Sequence, residues 1–467
     1  MFKSLIHKAH VCEAFILVAF FKFFNSIFKD KVINELDIIL KNKNIDKKKK
    51  DFEKLYSDNS HHPLVANCYA EFLHDYDPKA CFDIFENFEK LQEDWEANNL
   101  KKNAGKRFIP IGRFIGSLGN SWTVFYYLMN QYNVLKSKKK AHILIRKHER
   151  LQNPTVFNLF KDHFVTEKNT FKFLKSRKYQ DIFQVPLAHC LPFKKKMYPW
   201  FVAINLINQE VEMNKKNTFT KLSLSEKEQN LGFKTLLKMG LKENDWFVGL
   251  HIRQGIGNTQ CNSDPSTYIE AIKEIISRGG KVIRLGDSSM TKFPKIDGLI
   301  DYPFTKYKSH FMDVFITQNC KFFLGTSSGP SVLAACFGTP VLAVNYTPVF
   351  DYYSYTKKDI FLPKKVHLKG QNHFDEKFLF GYPKGYIIYS ESSEQGFDRF
   401  DIKDNSSEEI RNATIEMFDK LESKNTKKFL ENNNFFKEKI KNIVKFDNKY
   451  LKCFADISSD FIESNIK

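Results

Sequence analysis

Between Asp245 and Val344 short apolar runs alternate with amphipathic stretches, and most changeovers fall on a glycine or a polar turn. Trp246–Leu250 is an apolar run entered from Lys242-Glu243-Asn244-Asp245, the pattern of a buried strand that continues into His251. Pro265–Arg278 has apolar residues at helical spacing and is closed by Gly279-Gly280, where glycine suits the left-handed turn that ends a helix. Lys281–Leu285 predicts a second strand ending at Gly286-Asp287. Phe311–Gln318 predicts a helix, Lys321–Leu324 a strand, Ser331–Phe337 a short helix stopped by Gly338, and Val341–Val344 a further strand. Repeated strand–helix units of this kind predict a parallel sheet with helices on both faces. Past Asp351 the rhythm is lost, although Ser406–Leu421 predicts a helix and the Lys/Asn-rich end at least one more.

Upstream, residues 31–100 carry apolar positions three and four apart, the helical period. Pro63–Leu73 followed by Ala80–Trp95 resembles one helical hairpin of the tetratricopeptide type. A single hairpin cannot stack into an array, so it suits a helical collar on the next domain. Arg107–Ile111 predicts a strand, Gly112–Asn120 a glycine loop and Ser121–Gln131 a helix, the opening unit of a Rossmann-like lobe. Its glycine spacing is not G-x-G-x-x-G, so no dinucleotide fingerprint is present. Ala141–Ile145 predicts another strand, and the basic, aromatic stretch at 168–196 has no clear period. Thr220–Gly240 is polar and helical and suits a link between two lobes. The resulting division is an apolar N-terminal helix (1–30), a helical region with the hairpin (31–104), an N-terminal Rossmann-like lobe (105–240), a C-terminal lobe (241–400) and C-terminal helices (401–467).

Composition narrows the class. The 467 residues are 42% hydrophobic and 27% charged, a globular balance for a chain of two or three domains. Lys plus Arg outnumber Asp plus Glu by 73 to 54, giving a net charge of +19. The lysine runs 47–50, 138–140 and 194–196 are scattered, which favours solvated faces over one dedicated anionic partner. No nucleic-acid-binding motif accompanies the charge, and no nucleic-acid partner is expected. The eight cysteines form no C-x-x-C pair and several sit in apolar runs, the usage of buried thiols in a reducing cytosol. Val11–Phe28 is apolar but interrupted by Glu13, Lys22 and Asn25, a poor membrane span. Its phenylalanines and flanking lysines suit a helix on a membrane surface, and equally a helix packed on the protein.

The residues that carry chemistry gather at strand ends. His251 and Arg253 are two apart and so share one side of their strand, at the carboxyl end where parallel sheets bind ligands. Arg253 offers a planar fork of donors for phosphate oxygens, and Gln254-Gly255-Ile256-Gly257-Asn258 lets a ligand approach the backbone. Asp287 ends the second strand. Thr326-Ser327-Ser328-Gly329 opens a helix, whose free amides and dipole make an anion site, although the same residues also serve as a plain N-cap. Asp75-Tyr76-Asp77 has the form of a metal-binding D-x-D, but it precedes Pro78 in a turn where Asp is ordinary. No metal and no cofactor are expected.

The segment FVGLHIRQG…YIEAIKEIISRGGKVIRLGDSSM…DVFITQNCKFFLGTSSGPSVLAACFGTPVLAVN, from Phe247 to Asn345, resembles a group of bacterial glycosyltransferases. That group is distantly similar to the GDP-fucose-using O- and α1,6-fucosyltransferases. The resemblance implies an α/β, GT-B-like fold with two Rossmann-like lobes and an N-terminal helical extension. It implies a metal-independent glycosyltransferase that moves a sugar from a nucleotide-diphosphate donor, a GDP-sugar such as GDP-fucose, to a hydroxyl of a surface or lipid-linked glycan. By position, Arg253 would neutralise the leaving diphosphate and His251 would line the nucleotide pocket. Ser327 and Ser328, with Thr326 and Gly329, would hold the phosphates. Asp287 would shape the donor pocket or merely end its strand, and Asp313 would pair with guanine or lie on a helix surface. The cysteine usage leads to the expectation of a cytoplasmic location, with residues 1–30 either in peripheral contact with the inner face of the membrane or packed on the protein. Two departures stand out: Cys261-Asn262-Ser263-Asp264 replaces an Arg-Asn-Ala-Asp stretch, and Gln254 stands where the fucosyltransferases often carry a second Arg. An ADP-heptose-type transferase of the same fold, or a non-catalytic helical interaction protein with a degenerate transferase lobe, remain alternatives.

Overall fold

The computed structural model describes residues 222–255, 259–347, 356–370, 400–443 and 455–467, residues 31–73, and shorter stretches between 77 and 210. The expected N-terminal helix at 11–28 and the glycine loop 112–120 lie outside the described residues. The chain divides into two compact units, one comprising Met1–Pro110, Leu144–Arg150 and Glu167–Tyr198, the other Ile111–Ile143, Leu151–Thr166 and Pro199–Lys467.

In the first unit, helices α1 (Lys31–Lys41), α2 (Ile45–Asp58) and α3 (Pro63–Leu73) enclose a core of Leu36, Ile39, Phe52, Leu55, Val65, Tyr69 and Ala70. Asn44 starts α2 by accepting the Lys47 amide at 2.9 Å, and Phe52 stacks on Tyr69 with centroids 5.8 Å apart. The lysine run of α2 faces solvent. Cys81 and Phe88, in the second half of the expected hairpin, are buried in the same core. Asp77 accepts the Ala80 amide at 3.1 Å and so caps the helical turn after Pro78.

The second unit carries the sheet. Helices α4 (Pro154–Phe160) and α5 (Glu226–Lys238) precede it, α5 opened by a capping box between Ser225 and Glu228. Strands β1 (Phe247–His251), β2 (Lys281–Arg284), β3 (Leu299–Asp301), β4 (Phe323–Gly325), β5 (Val341–Tyr346) and β6 (Ile360–Pro363) follow, with α6 (Ile269–Ser277) between β1 and β2, α7 (His310–Asn319) between β3 and β4, and α8 (Gly329–Cys336) between β4 and β5. Beyond them come β7 (Lys365–Leu368), β8 (Phe400–Lys403), α9 (Ser407–Leu421), α10 (Lys427–Ile443), β9 (Asp456–Ile457) and α11 (Ser459–Asn465). Seven strands form one parallel sheet in the order β3-β2-β1-β4-β5-β6-β9, while β7 and β8 pair antiparallel on their own. This is the doubly wound Rossmann order with one strand added at the far edge.

Every residue of β1 is buried, and alternate residues face opposite sides, so both faces of the sheet are covered. α6 packs on α9 and β2, α9 on β5 and β6, and α8 on α7, β4 and β5. Trp246 and Phe322 both meet the Phe418 ring edge-on, with centroids 5.8 and 5.2 Å away, and join α9 to the strand starts. The alternation read from 245 to 344 thus becomes this sheet, and α6 ends as expected at Gly279, with φ +84°. The expected loss of rhythm after Asp351 hides two further parallel strands, β6 and β9. β9 is only two residues long, and β6 follows the polar turn Thr356–Asp359, so neither leaves a period to read. β3 was equally silent, an edge strand of three half-buried residues.

Candidate functional site

The strand order reverses between β1 and β4, and crevices at the carboxyl ends of such strands are where open α/β sheets take ligands. His251, the last residue of β1, lies opposite Gly325, the last of β4. The Thr326 amide donates to the His251 carbonyl and the Arg253 amide to the Thr326 hydroxyl, each at 3.3 Å. The two loops singled out in the sequence are therefore joined by backbone contacts one step past the strands. Glycine at 325 lets the start of α8 fold closely over the end of β4, since a Cβ there would fall 2.3 Å from the Ser331 hydroxyl. Ile252 is fully buried and anchors the strand end between His251 and the half-buried Arg253.

The Arg253 loop is closed on itself. Ser263 donates its amide to the Arg253 carbonyl at 3.1 Å. Asn262 pairs both ways with Gly255, accepting its amide at 2.9 Å and donating to its carbonyl at 2.7 Å. Buried Lys364 donates to the Asn262 carbonyl and to Asp404, which also accepts the Asp264 amide at 2.8 Å. The segment that departs from the resembled family, Cys261–Asp264, therefore braces the loop that carries Arg253.

His251 has 9% of its surface exposed, and its Nδ1 has no hydrogen-bond partner among the described residues. Burial, and then the neighbouring Arg253 and Arg284 charges, push its pKa down to about 3. The imidazole is neutral at physiological pH, so positive charge at this site rests on guanidinium and ammonium groups. Asp287 is held below the usual carboxylate range by the hydroxyl and amide of Ser289, and stays ionised near His251. Gly286 before it has φ +149°, and a Cβ would meet the Met290 sulfur at 2.0 Å.

On the β4 side the hydroxyls divide their roles. Thr326 is fully buried and accepts from Arg253. Ser327 donates to the Thr347 carbonyl at 3.0 Å and accepts the Thr347 amide at 3.1 Å, tying the loop to the end of β5. Ser328 is the N-cap of α8; its hydroxyl meets the Ser331 hydroxyl at 3.2 Å, and no side chain caps the first turn. Ser331 in turn donates to the Thr326 carbonyl at 2.8 Å. Gly329 opens the helix and Pro330 follows, so the loop places the positive end of α8 beside the Arg253 strand end.

Asp313 lies in the first turn of α7, where Lys308 grips both of its oxygens. Burial raises its pKa against the pull of that lysine. Tyr302 holds the same corner, donating to the Ser309 carbonyl at 3.1 Å and accepting the Ser309 amide at 2.8 Å. Lys308 and Arg284 were not singled out in the sequence, yet both act on His251 electrostatically. Arg284 had a signal: it is the charged residue near the end of the otherwise apolar run Val282–Leu285. Lys308 had none, because one lysine in Lys306-Tyr307-Lys308 looks like any other. Among the described residues, no three His, Cys, Asp or Glu side chains gather as metal ligands do.

None of the known family models and no curated protein matches this chain. Among solved structures, a glycosyl transferase of family 9 from Veillonella parvula is similar over 68% of this chain and 98% of its own, with a TM-score of 0.40 and 13% identity. The iron-containing dodecameric glycosyltransferase TibC from enterotoxigenic E. coli is similar over 68% of this chain and 75% of its own, with a TM-score of 0.35 and 12% identity. Scores this low do not assign a fold, which here rests on the sheet order itself.

Proposed function

We propose that the chain is a glycosyltransferase of GT-B type, and that its C-terminal lobe binds the diphosphate of a nucleotide sugar between Arg253 and the first turn of α8. The observation that carries this reading is the union of the His251–Arg253 and Thr326–Gly329 loops at the strand-order reversal of a Rossmann sheet. Arg253 supplies the charge that stabilises the departing diphosphate, and the α8 amides supply fixed donors that need no reorganisation during the reaction. Neutral His251 offers hydrogen bonding rather than charge. Ser328 faces the phosphates more directly than Ser327, whose hydroxyl is engaged with Thr347. The proton of the acceptor hydroxyl passes to a group outside this constellation.

A GDP-sugar such as GDP-fucose, with Asp313 reading the guanine, is the donor this proposal names; an acceptor hydroxyl on a surface or lipid-linked glycan completes it. Contact of residues 1–30 with the inner face of the membrane belongs to the same proposal. Among the described residues no helix is long and apolar enough to cross a membrane. The test is a panel of GDP-, UDP- and ADP-sugars scored by melting shift and by slow donor hydrolysis, with wild type beside Arg253→Ala. A shift of about 4 °C or more with a GDP-sugar, lost in the variant, is the expected result. A response confined to ADP-sugars would reassign the base, and no response to any member would remove the transferase reading.

A further inference from the structure

Arg284 is among the largest fully buried side chains of the described residues, and it sits at the carboxyl end of β2 rather than in the active loop. Its guanidinium donates to the Asp301 carboxylate at 2.9 Å, to the Thr291 carbonyl at 2.9 Å and to the Gln254 side-chain oxygen at 3.4 Å, and it lies 4.9 Å from the centre of the Phe293 ring. Asp301 completes the link by accepting the Phe293 amide at 2.9 Å. One buried cation therefore joins the ends of three adjacent strands, β1 through Gln254, β2 and β3. Stability alone is a weak reason to keep such a group, because apolar replacements of buried ion pairs are often as stable.

The β1 contact gives a better reason. Gln254 is the residue next to Arg253, and it is latched to the β2 loop by two further bonds. Its oxygen accepts the Thr291 amide at 3.1 Å, and its amide nitrogen donates to the Thr291 hydroxyl at 3.3 Å. The Arg253 backbone is thus held from one side by Thr326 and from the other by Gln254 and Thr291. An arginine side chain carries enough rotational freedom that fixing its root decides how well its fork meets an anion.

We infer that Arg284 and Gln254 are positioning residues for Arg253, acting as one chain, and that their target is a diphosphate group. The inference rests on the reading of the β1/β4 crevice as a diphosphate site. It concerns the β2 side of that crevice, where Arg284 is fully buried. Arg284 acts through the geometry of its fork rather than through its charge, which Asp301 already balances.

The experiment is calorimetric titration of the full chain with inorganic pyrophosphate, paired with thermal melts, for wild type, Arg253→Ala, Gln254→Leu, Arg284→Lys, Arg284→Met and the Gln254→Leu/Arg284→Met double variant. Gln254→Leu is expected to bind about tenfold more weakly while melting within about 4 °C of wild type. Arg284→Met and Arg284→Lys should show a similar loss, and the double variant should be no weaker than Arg284→Met. Wild-type affinity in Gln254→Leu, or in Arg284→Lys, would overturn the inference, as would losses that add in the double variant. Loss of binding in Arg253→Ala alone would overturn it while leaving the diphosphate site standing. Failure of wild type to bind pyrophosphate or any nucleoside diphosphate would remove the site itself.

Discussion

The two flanks of the β1/β4 seam are built from different chemistry. On the β4–β5 side the contacts nearest the seam are neutral: Thr326 with Arg253 backbone, Ser327 with Thr347 backbone, and Asn345 with Asn405 and Tyr268. The β1–β2–β3 side adds ion pairs, Arg284 with Asp301 and Lys308 with Asp313, beside the Arg253 guanidinium. Neutral hydrogen bonds within the backbone hold a shape at little electrostatic risk, whereas charges beside a crevice set its potential. The difference teaches that damage to the neutral bracing contacts of Asn345 and Ser327 should register as lost stability, and damage to the charged flank, or to Ser328 at the start of α8, as lost affinity.

The largest effect is expected at Asn345. It is fully buried, holds φ at +50°, exchanges bonds of 2.7 and 2.6 Å with Asn405, and donates to the Tyr268 hydroxyl at 3.1 Å. Asn345→Ala removes the two side-chain bonds, to the Asn405 amide and the Tyr268 hydroxyl, and forces a left-handed alanine, so urea denaturation should show a loss of about 3 kcal/mol. Retained stability would break the assignment of the neutral flank to shape. Arg253→Ala should weaken GDP binding about a hundredfold, or about 2.7 kcal/mol, with the melting temperature nearly unchanged. If instead the variant unfolds early and binds normally, the two flanks have been read the wrong way round.

The His251 pKa adds a pH test. Its folded value lies near 3, below the ordinary 6.5, so the unfolded chain takes up the proton more readily. The stability this provides is fully present above pH 6.5 and falls away as the pH drops toward 3, by at most about 1.4 kcal/mol per unit. Denaturation midpoints of wild type and His251→Asn, followed from pH 7 to 4, should converge on acidification; parallel curves would mean a solvated histidine. The smallest effect separates the paired serines. Ser327→Ala should cost about 1 kcal/mol of stability through Thr347, whereas Ser328→Ala should leave stability unchanged and reduce GDP affinity.

Strands β1, β2, β4 and β5 were legible because buried parallel strands read as apolar runs and the glycines at 279 and 338 mark helix ends, both with positive φ. The positions of His251, Arg253 and Thr326 were legible for a related reason: polar residues that close an apolar run mark the carboxyl end of a buried strand. Ser327 shows the limit of that logic, since a hydroxyl facing a ligand and one bonded to the Thr347 backbone look alike in sequence. β3, β6 and β9 are too short, or too polar at their borders, to leave a period. Arg284 and Gln254 lie 30 positions apart and meet only through the parallel pairing of β1 with β2. The role of the Cys261–Asp264 segment was hidden in the same way, because its brace comes from Lys364 and Asp404.

The most direct test is a crystal structure of the chain soaked with GDP. The diphosphate is expected within hydrogen-bond reach of the Arg253 guanidinium and of the α8 amides at Gly329 and Ser331. Density for GDP elsewhere on the chain, or an Arg253 fork turned away from α8 with side chains packed between them, would contradict the account.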